Sequence, residues 1–193
     1  MNNYTSPNGL PHMINLKRER EVQIKNLINN LKLSEVREDK DFQNTTARIK
    51  RTILLTPVVM GKPECIDHEY EQRSLSMSDQ VRGLSREHYV HTVSFPFTGD
   101  EEVFSYIPEK GFSYSSNDHG LILPDGEEII VYVDLPELNP QGAVTAAQNL
   151  LNLTLQFKDQ NNASIKAWST GVELTIDKLL QEKRQELIEK FGK

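Results

Sequence analysis

Three consecutive acids, Asp100-Glu101-Glu102, lie between two runs of aromatic and β-branched residues and are the first candidate for chemistry. A divalent metal ion is bound by several oxygen ligands, and these have to converge from different segments of the chain. Carboxylates of adjacent residues tend to diverge, whereas Gly99 and Asp100 both tolerate the left-handed backbone of a bend. The pattern therefore favours a bend between two strands over a metal site.

A second candidate is Asp67-His68-Glu69, in a polar stretch close to Cys65. Histidine, carboxylate and thiol groups can bind a metal ion or activate a nucleophile, so a small metal-dependent enzyme using this segment is one alternative function. Sequential neighbours splay apart, however, and no second pair of ligands at a zinc-like spacing occurs in the sequence. We expect a polar loop here, and no catalytic residue, metal or cofactor.

The remaining histidines are weaker candidates. His88 and His91 have an odd spacing, so on a strand they point to opposite faces, and His91 falls on the apolar face, where a hydrogen-bonded core histidine is the common outcome. Asp118-His119 follows the serine pair Ser115-Ser116 and could supply a base to a hydroxyl group. That segment lacks the glycine-flanked context of a nucleophile elbow, so it does not predict a hydrolase.

The composition is typical of a soluble, cytoplasmic, single-domain protein. The chain has 193 residues, of which 37% are hydrophobic and 26% charged, so one domain can bury a substantial core. No apolar run reaches the roughly 18 residues of a membrane span, and the N-terminus lacks the apolar stretch of a secretory signal. The single cysteine cannot form an internal disulfide, which fits a reducing cytosol.

The net charge of −6 argues against a general nucleic-acid-binding protein. Basic residues do cluster locally at Arg48, Lys50 and Arg51, and the predicted strands are rich in aromatic residues that could stack on bases. A nucleic-acid-binding module is therefore a further alternative function. The basic groups are interleaved with acids or flank an apolar helix face, so we expect most of them to lie on a solvated helix surface.

The spacing of apolar residues predicts an α+β fold in a single domain. Residues 1–13 contain prolines and few large apolar groups and are predicted to be a disordered lead-in. The period is helical over 14–52, strand-like over 53–138 and helical again over 139–193. We expect an N-terminal helix, a central antiparallel sheet of about four to five strands and a C-terminal helical hairpin, with Asn162 as the N-cap of its second helix. A kinked long helix is the alternative for the C-terminal segment.

The region 53–138 is predicted to contain several strands, a loop-like segment and a hairpin. Residues 102–107 and 120–123 are predicted strands, and residues 61–86 are predicted to be loop-like. The run EEIIVYVDL is apolar on both faces and predicts an inner strand. A turn at 124–127 predicts a tight hairpin between the last two strands. The run HYVHTVSFPF alternates, which predicts one buried face made of Tyr89, His91, Val93, Phe95 and Phe97.

The last helical segment is the predicted interaction surface. Beyond Leu180 the apolar residues are too few for a core of their own, but they are suited to docking a partner helix or a neighbouring domain. Homo-oligomerisation through these helices is a further expectation. The residues assigned to this surface are Lys183, Arg184, Leu187, Ile188 and Phe191.

The phrase VSFPFTGDEEVFSYIP, the strand EEIIVYVDL and the helical tail ending in KRQEL together resemble a set of bacterial proteins. These are proteins of uncharacterised function whose N-terminal region precedes a restriction-endonuclease-like domain. The resemblance covers residues 65–190 and is carried by Pro96-Phe97-Thr98-Gly99-Asp100, Phe104, Tyr106, Pro108 and residues 183–187.

The nuclease motif of that family would lie beyond Lys193, so the resemblance brings no catalytic residue to this chain. It implies a non-catalytic interaction, sensing or regulatory module of a bacterial nuclease or defence-type system. The implied partner is a protein or an adjacent nuclease-like domain.

Overall fold

The computed structural model describes residues 2–72, 87–109 and 120–192 and confirms the α+β fold. In chain order the elements are β1 (Tyr4–Thr5), a 3₁₀ turn (Pro7–Gly9), α1 (Met13–Asn29), a 3₁₀ turn (Leu33–Glu35), α2 (Asp39–Ile53), β2 (Val59–Met60), β3 (Glu64–Gln72), β4 (Glu87–Thr98), a 3₁₀ helix (Glu101–Ser105), β5 (Leu121–Ile122), β6 (Glu128–Leu135), α3 (Pro140–Leu150) and α4 (Asn152–Phe191).

The main sheet is antiparallel and is organised around β4. Strand β6 pairs along one side of β4, with Val93 opposite Val131, while β3 and the short β2 pair along its other side. The prediction that EEIIVYVDL is an inner strand is wrong, because within the described residues β4 occupies the inner position. Tyr132 on β6 is exposed, so the apolar residues on the second face of β6 do not reach a second buried layer.

The two faces of the sheet have opposite surroundings. On β4 the side chains of His91, Val93, Phe95 and Phe97 are buried, as the alternation predicts, whereas Tyr89 at the start of the same face is only partly buried. Helix α3 packs against that face. The other face, which we call the outer face, carries the alternate residues of β3, β4 and β6 and is largely exposed. An antiparallel sheet with one packed and one solvated face is expected to alternate in this way.

The core consists of two clusters of buried side chains. The first lies between the sheet, the start of α1, α3 and the beginning of α4, and it includes Phe95 and Phe104. The second is formed by α1, α2 and the C-terminal half of α4, and it includes Ile49 and Ile176. Helix α4 therefore contributes to both clusters.

The predicted helical hairpin is corrected to a short helix followed by a long one. Only Leu151 separates α3 from α4, and α4 continues for 40 residues, or about 60 Å, through the turn-prone run KDQNNAS. Asn162 is not an N-cap. Its side-chain amide bonds to the backbone N–H and C=O of Val58 at 2.8 and 2.7 Å, so the polar residues of this run serve tertiary contacts rather than helix termination.

The N-terminal segment differs from the prediction of a disordered lead-in. Strand β1 pairs with β5, and Met13 is fully buried. The side-chain amide of Asn2 donates to the carbonyl of Tyr132 at 2.8 Å and accepts from the Tyr132 N–H at 2.7 Å. Strand β5 pairs with β1, and within the described residues it does not pair with β6, so the turn at 124–127 does not form the predicted hairpin.

The acidic run at 100–102 is a bend, as predicted. The Asp100 N–H donates to the Thr56 carbonyl at 3.0 Å, and the Asp100 carboxylate accepts from the Thr56 N–H. Gly99 has a φ of 105°, a backbone conformation in which any residue with a Cβ atom is strained. The chain then continues as the 3₁₀ helix and not as the predicted strand, and Glu102 forms an ion pair with Arg20 at 2.8 Å.

Replacing Gly171 by alanine should raise the free energy of unfolding by about 1 kcal/mol. Gly171 lies inside α4, where glycine is about 1 kcal/mol less favourable than alanine, and an added Cβ would meet nothing within 4 Å. Urea denaturation followed by circular dichroism measures the change. Gly99→Ala is the matched control, since its Cβ would lie 2.5 Å from the Pro57 carbonyl oxygen, and it should destabilise. A loss of stability in Gly171→Ala would contradict the open surroundings of that position.

Candidate functional site: the acidic outer face of the sheet

The segment Asp67-His68-Glu69 lies on strand β3 and not in the predicted loop. Because side chains alternate along a strand, Asp67 and Glu69 project to the outer face while His68 projects to the opposite face, where its ring lies 6.3 Å from that of His91. The three groups therefore do not converge on one site. Within the described residues no group of three or more His, Cys, Asp or Glu side chains could hold a metal ion.

Cys65 is not set up as a nucleophile. Burial raises the pKa of the Cys65 thiol above its ordinary value, and the Asp67 carboxylate adds to the rise. The reactive form of cysteine is the thiolate, so a raised pKa leaves less of it at neutral pH.

His91 is a hydrogen-bonded core histidine, as the sequence predicts. The ring is fully buried, and its Nε2 accepts from the Asn139 N–H at 3.1 Å while Nδ1 lies 3.1 Å from the Tyr89 carbonyl. The tautomer with its hydrogen on Nδ1 satisfies both contacts. Neither ring nitrogen is left to bind a metal ion or to take a proton from a substrate.

The predicted interaction surface at the end of α4 is partly used within the molecule. Leu187 is buried in the second cluster, together with residues of α1 and α2. Arg184 stacks over the Phe42 ring at 4.7 Å and donates to Asp39 at 2.6 Å. Lys183 forms an ion pair with Glu186 on the same helix. Ile188 and Phe191 are exposed.

The basic residues of α2, proposed as contacts for nucleic acid, face acids. Arg48 lies 3.1 Å from Glu35, and Lys50 lies 2.7 Å from Asp177. Arg51 is exposed. A phosphate backbone would have to compete with these carboxylates for two of the three cations.

The outer face of the sheet is strongly acidic. Strands β3, β4 and β6 contain seven acids and no lysine or arginine. The whole chain has 28 acids and 22 lysines and arginines, so these strands carry a formal charge of −7 and the rest of the chain a charge of +1. Six of the seven acids share the outer face by register: Glu64, Asp67, Glu69, Glu71, Glu128 and Asp134.

A cavity of about 570 Å³ opens at one end of the outer face. His88 lies on β4 between Glu71 on β3 and Asp134 on β6, and its Nε2 is 3.3 Å from the Glu71 carboxylate and 3.9 Å from that of Asp134. The His88 residue is 3% exposed, and within the described residues its Nδ1 has no hydrogen-bond partner. Half-exposed Tyr4 and Tyr132 complete the wall. The cavity thus combines two carboxylates, a buried imidazole and two aromatic rings.

Sequence reasoning assigned these acids to no site. The feature of the sequence that indicates a strand here is the alternation of Asp67, Glu69 and Glu71 along a run without basic residues. This is the two-residue period of a strand, with acidic residues in place of the usual apolar ones. The odd spacing of His88 and His91 excludes a metal ion shared by the two histidines and gives no sign of the acids that flank His88 on β3 and β6. Asp118-His119 lies outside the described residues.

No protein-family model matches the chain, and neither a curated protein nor a solved structure does so. Across the described ranges, no helix is both long enough and apolar enough to span a lipid bilayer.

Proposed function

We propose that this protein is a non-catalytic interaction module of the cytoplasm that binds a basic protein partner through the outer face of its sheet. The observation that carries this proposal is the segregation of charge, because three adjacent strands hold a formal charge of −7 in a chain of −6. Charge of one sign on one face steers a partner of opposite sign and fixes its orientation.

The chemistry of the candidate groups favours binding over catalysis. Both nitrogens of His91 are engaged, the pKa of Cys65 is raised, and the carboxylates of Asp67 and Glu69 stand on an exposed strand. A nucleophile needs a base within hydrogen-bond reach, and a general base needs a substrate pocket around it. The described residues supply neither arrangement around these groups.

The resemblance to the region that precedes a nuclease-like domain suggests one partner of suitable charge. A protein surface that binds DNA is basic, and an acidic face is complementary to such a surface. In this proposal the module docks on the nuclease-like protein and regulates it, in a bacterial nuclease or defence-type system.

A labelled oligolysine of about ten residues should bind the protein in fluorescence anisotropy, and the binding should weaken steeply as salt rises. The double variant Asp67→Asn, Glu69→Gln should raise the Kd about 2- to 30-fold, since each exposed charge contributes roughly 0.2–1 kcal/mol. The matched control is Glu137→Gln, Glu173→Gln, which removes two exposed acids outside the sheet. It should change the Kd by much less.

A short DNA duplex in the same assay tests the alternative function. Duplex DNA should not bind, because the outer face repels phosphates and Arg48 and Lys50 are paired with acids. Tight DNA binding that is lost in an Arg48→Ala, Lys50→Ala, Arg51→Ala variant would replace the protein-interaction proposal with a nucleic-acid-binding one. Equal weakening of oligolysine binding by both acid-removal variants would show that the outer face has no special role.

A further inference from the structure

We propose that β3 is a docking strand, and that it binds an extended segment of the partner in which basic and apolar residues alternate. The inference rests on the proposed function for the charge of the partner, and it adds the way in which the two chains pair. Within the described residues β3 pairs only with β4, so the edge of β3 that faces away from β4, which we call the open edge, belongs to no ladder. Such an edge can add one further strand.

The hydrogen bonds of β4 show which backbone groups point toward β3. The Pro96 carbonyl accepts from the Gly61 N–H at 2.7 Å, on the side of β4 where β2 and β3 lie. The next residue, Phe97, donates to the Glu127 carbonyl at 3.0 Å, on the side where β6 lies. Because neighbouring residues of a strand direct their backbone groups to opposite sides, the even-numbered residues of β4 face β3.

The backbone groups of His68 and Tyr70 therefore lie on the open edge. Glu69 is opposite Val90, an even-numbered residue of β4, so the backbone groups of Glu69 bond to β4 and those of its two neighbours point away. Accordingly, the His68 N–H donates to the adjacent Asp67 carboxylate at 2.7 Å rather than to β4. A partner strand can bond to the N–H and C=O groups of both outward residues.

The charge of β3 specifies one half of the partner's side chains. Asp67, Glu69 and Glu71 alternate on the outer face, and the strand contains four acids and no lysine or arginine. Residues directly opposite each other in an antiparallel pair place their side chains on the same face, and opposite charges stabilise such pairs. The partner residues opposite these acids are therefore basic.

The aromatic residues of β3 specify the other half. His68 and Tyr70 project to the face against which α3 packs, but the helix leaves both of them exposed, and Tyr70 is 50% exposed. The Tyr70 ring lies 5.4 Å from the Tyr89 ring, in an edge-on contact. The His68 ring lies 6.3 Å from that of His91. Apolar side chains on an added strand would extend this row of rings by cross-strand contacts.

A second copy of this chain is disfavoured as the occupant. An antiparallel pair of two β3 strands places acids opposite acids, whether the pair is centred on Glu69 or on Tyr70, and like charges in these positions are destabilising. The β-bulge between Cys65 and Asp67 interrupts the strand at its start. Regular pairing is thereby limited to residues 67–72, which fits a short segment.

The test uses the full chain labelled with ¹⁵N and the capped peptide Lys-Val-Lys-Val-Lys, whose valines face His68 and Tyr70 in an antiparallel pair. The readout is amide hydrogen exchange at Tyr70, whose N–H points outward and bonds to the added strand. Glu69 is the internal reference, because its N–H already bonds to β4. Saturating peptide should slow exchange at Tyr70 at least tenfold and leave exchange at Glu69 unchanged.

Three modified peptides separate strand pairing from attraction by charge. Lys-Lys-Lys-Val-Val has the same composition and charge without the alternation, and it should bind at least fivefold more weakly and leave Tyr70 unprotected. N-methylation of both valines removes the N–H groups that face β3 and should abolish the protection. N-methylation of the first and third lysines, whose N–H groups face away from β3, should change the Kd less than threefold.

A matched pair of variants tests the same edge from the side of the protein. Tyr70→Pro removes the outward N–H and the ring, whereas Tyr70→Ala removes the ring alone. Proline is tolerated on an edge strand where its nitrogen faces away from the sheet, so the pairing of β3 with β4 should persist. In fluorescence anisotropy Tyr70→Pro should bind the labelled alternating peptide at least tenfold more weakly than Tyr70→Ala does. If Tyr70→Pro does not fold, the two N-methylated peptides make the same comparison on the unmodified protein.

The outcomes distinguish this proposal from the proposed function. Equal binding of the alternating and block peptides, or equal effects of the two N-methylation patterns, would overturn strand pairing at β3 and leave the interaction with a basic partner standing. Failure of oligolysine and of the block peptide to bind, together with protection of Tyr70 by the alternating peptide, would overturn the proposed function and leave the docking strand standing. Unchanged exchange at Tyr70 with saturating alternating peptide would overturn the docking strand.

Discussion

The Phe95→Ala variant should lose about 3–5 kcal/mol of its free energy of unfolding. Phe95 lies in the second half of β4, is 3% exposed and belongs to the cluster that joins the sheet to α3 and the start of α4. Removing the ring leaves a cavity between packed elements that cannot close without moving a strand. A domain of this size is stable by only about 5–15 kcal/mol, so much of the variant should be unfolded at 37 °C.

Urea denaturation measured by circular dichroism checks this value, with Phe191→Ala as the matched control. Phe191 is 56% exposed at the end of α4, and its replacement should cost less than about 1 kcal/mol. Equal losses in the two variants would mean that the face of β4 carrying Phe95 is not the buried one.

The Asn161→Leu variant should lose about 2–4 kcal/mol although it makes the core more apolar. Asn161 is fully buried on α4, and its amide group donates to the carbonyl oxygens of Val103 and Tyr106, both at 2.8 Å. Leucine has a similar volume and no donor, so both carbonyl oxygens would be buried without their partner. The cost of an unsatisfied buried acceptor exceeds the gain from the added methyl groups.

The control for this prediction is Asn149→Leu, at an exposed position in the last turn of α3, which should change stability by about 0.5 kcal/mol or less. Amide hydrogen exchange gives a second readout, because the segment 101–106 should lose protection in Asn161→Leu before α1 and α2 do. A variant as stable as the parent protein would show that the two hydrogen bonds contribute nothing to the fold.

The parts of the fold that could be predicted from sequence are those in which burial of one face makes apolar residues recur at a regular spacing along the chain. On β4 the apolar residues alternate because one face is packed and the other solvated, so Val93, Phe95 and Phe97 were assigned to the core correctly. Gly99 and Asp100 were assigned to a bend because few residue types tolerate that backbone, and the structure confirms the bend.

The parts that could not be predicted are those in which a side chain serves a distant contact. Asn161 and Asn162 are turn formers by local preference, yet both lie inside α4 because they bond to the backbone of segments more than 50 residues away. Strand β3 is exposed on nearly all of its length, so no apolar alternation marks it. Tyr132 makes β6 look like an inner strand although its ring lines an open cavity.

The candidate site could not be predicted either, because it depends on contacts between distant segments. Each of its groups is unremarkable in sequence, and only the register of three strands places Glu71, His88 and Asp134 side by side. A sequence gives strand periodicity within a segment, but it does not give the register in which β3, β4 and β6 pair with one another.

The two-cluster role of α4 has a consequence for how the protein folds as it is synthesised. Helices α1 and α2 leave the ribosome early, but the cluster that buries Ile24, Ile49 and Ile53 is completed only by Val172 and the residues that follow it. At about 5–20 residues per second, the two helices wait on the order of ten seconds with their apolar faces uncovered. Over that interval the apolar faces of α1 and α2 are exposed and can be bound by chaperones. They become buried only late, when the C-terminal half of α4 packs against them.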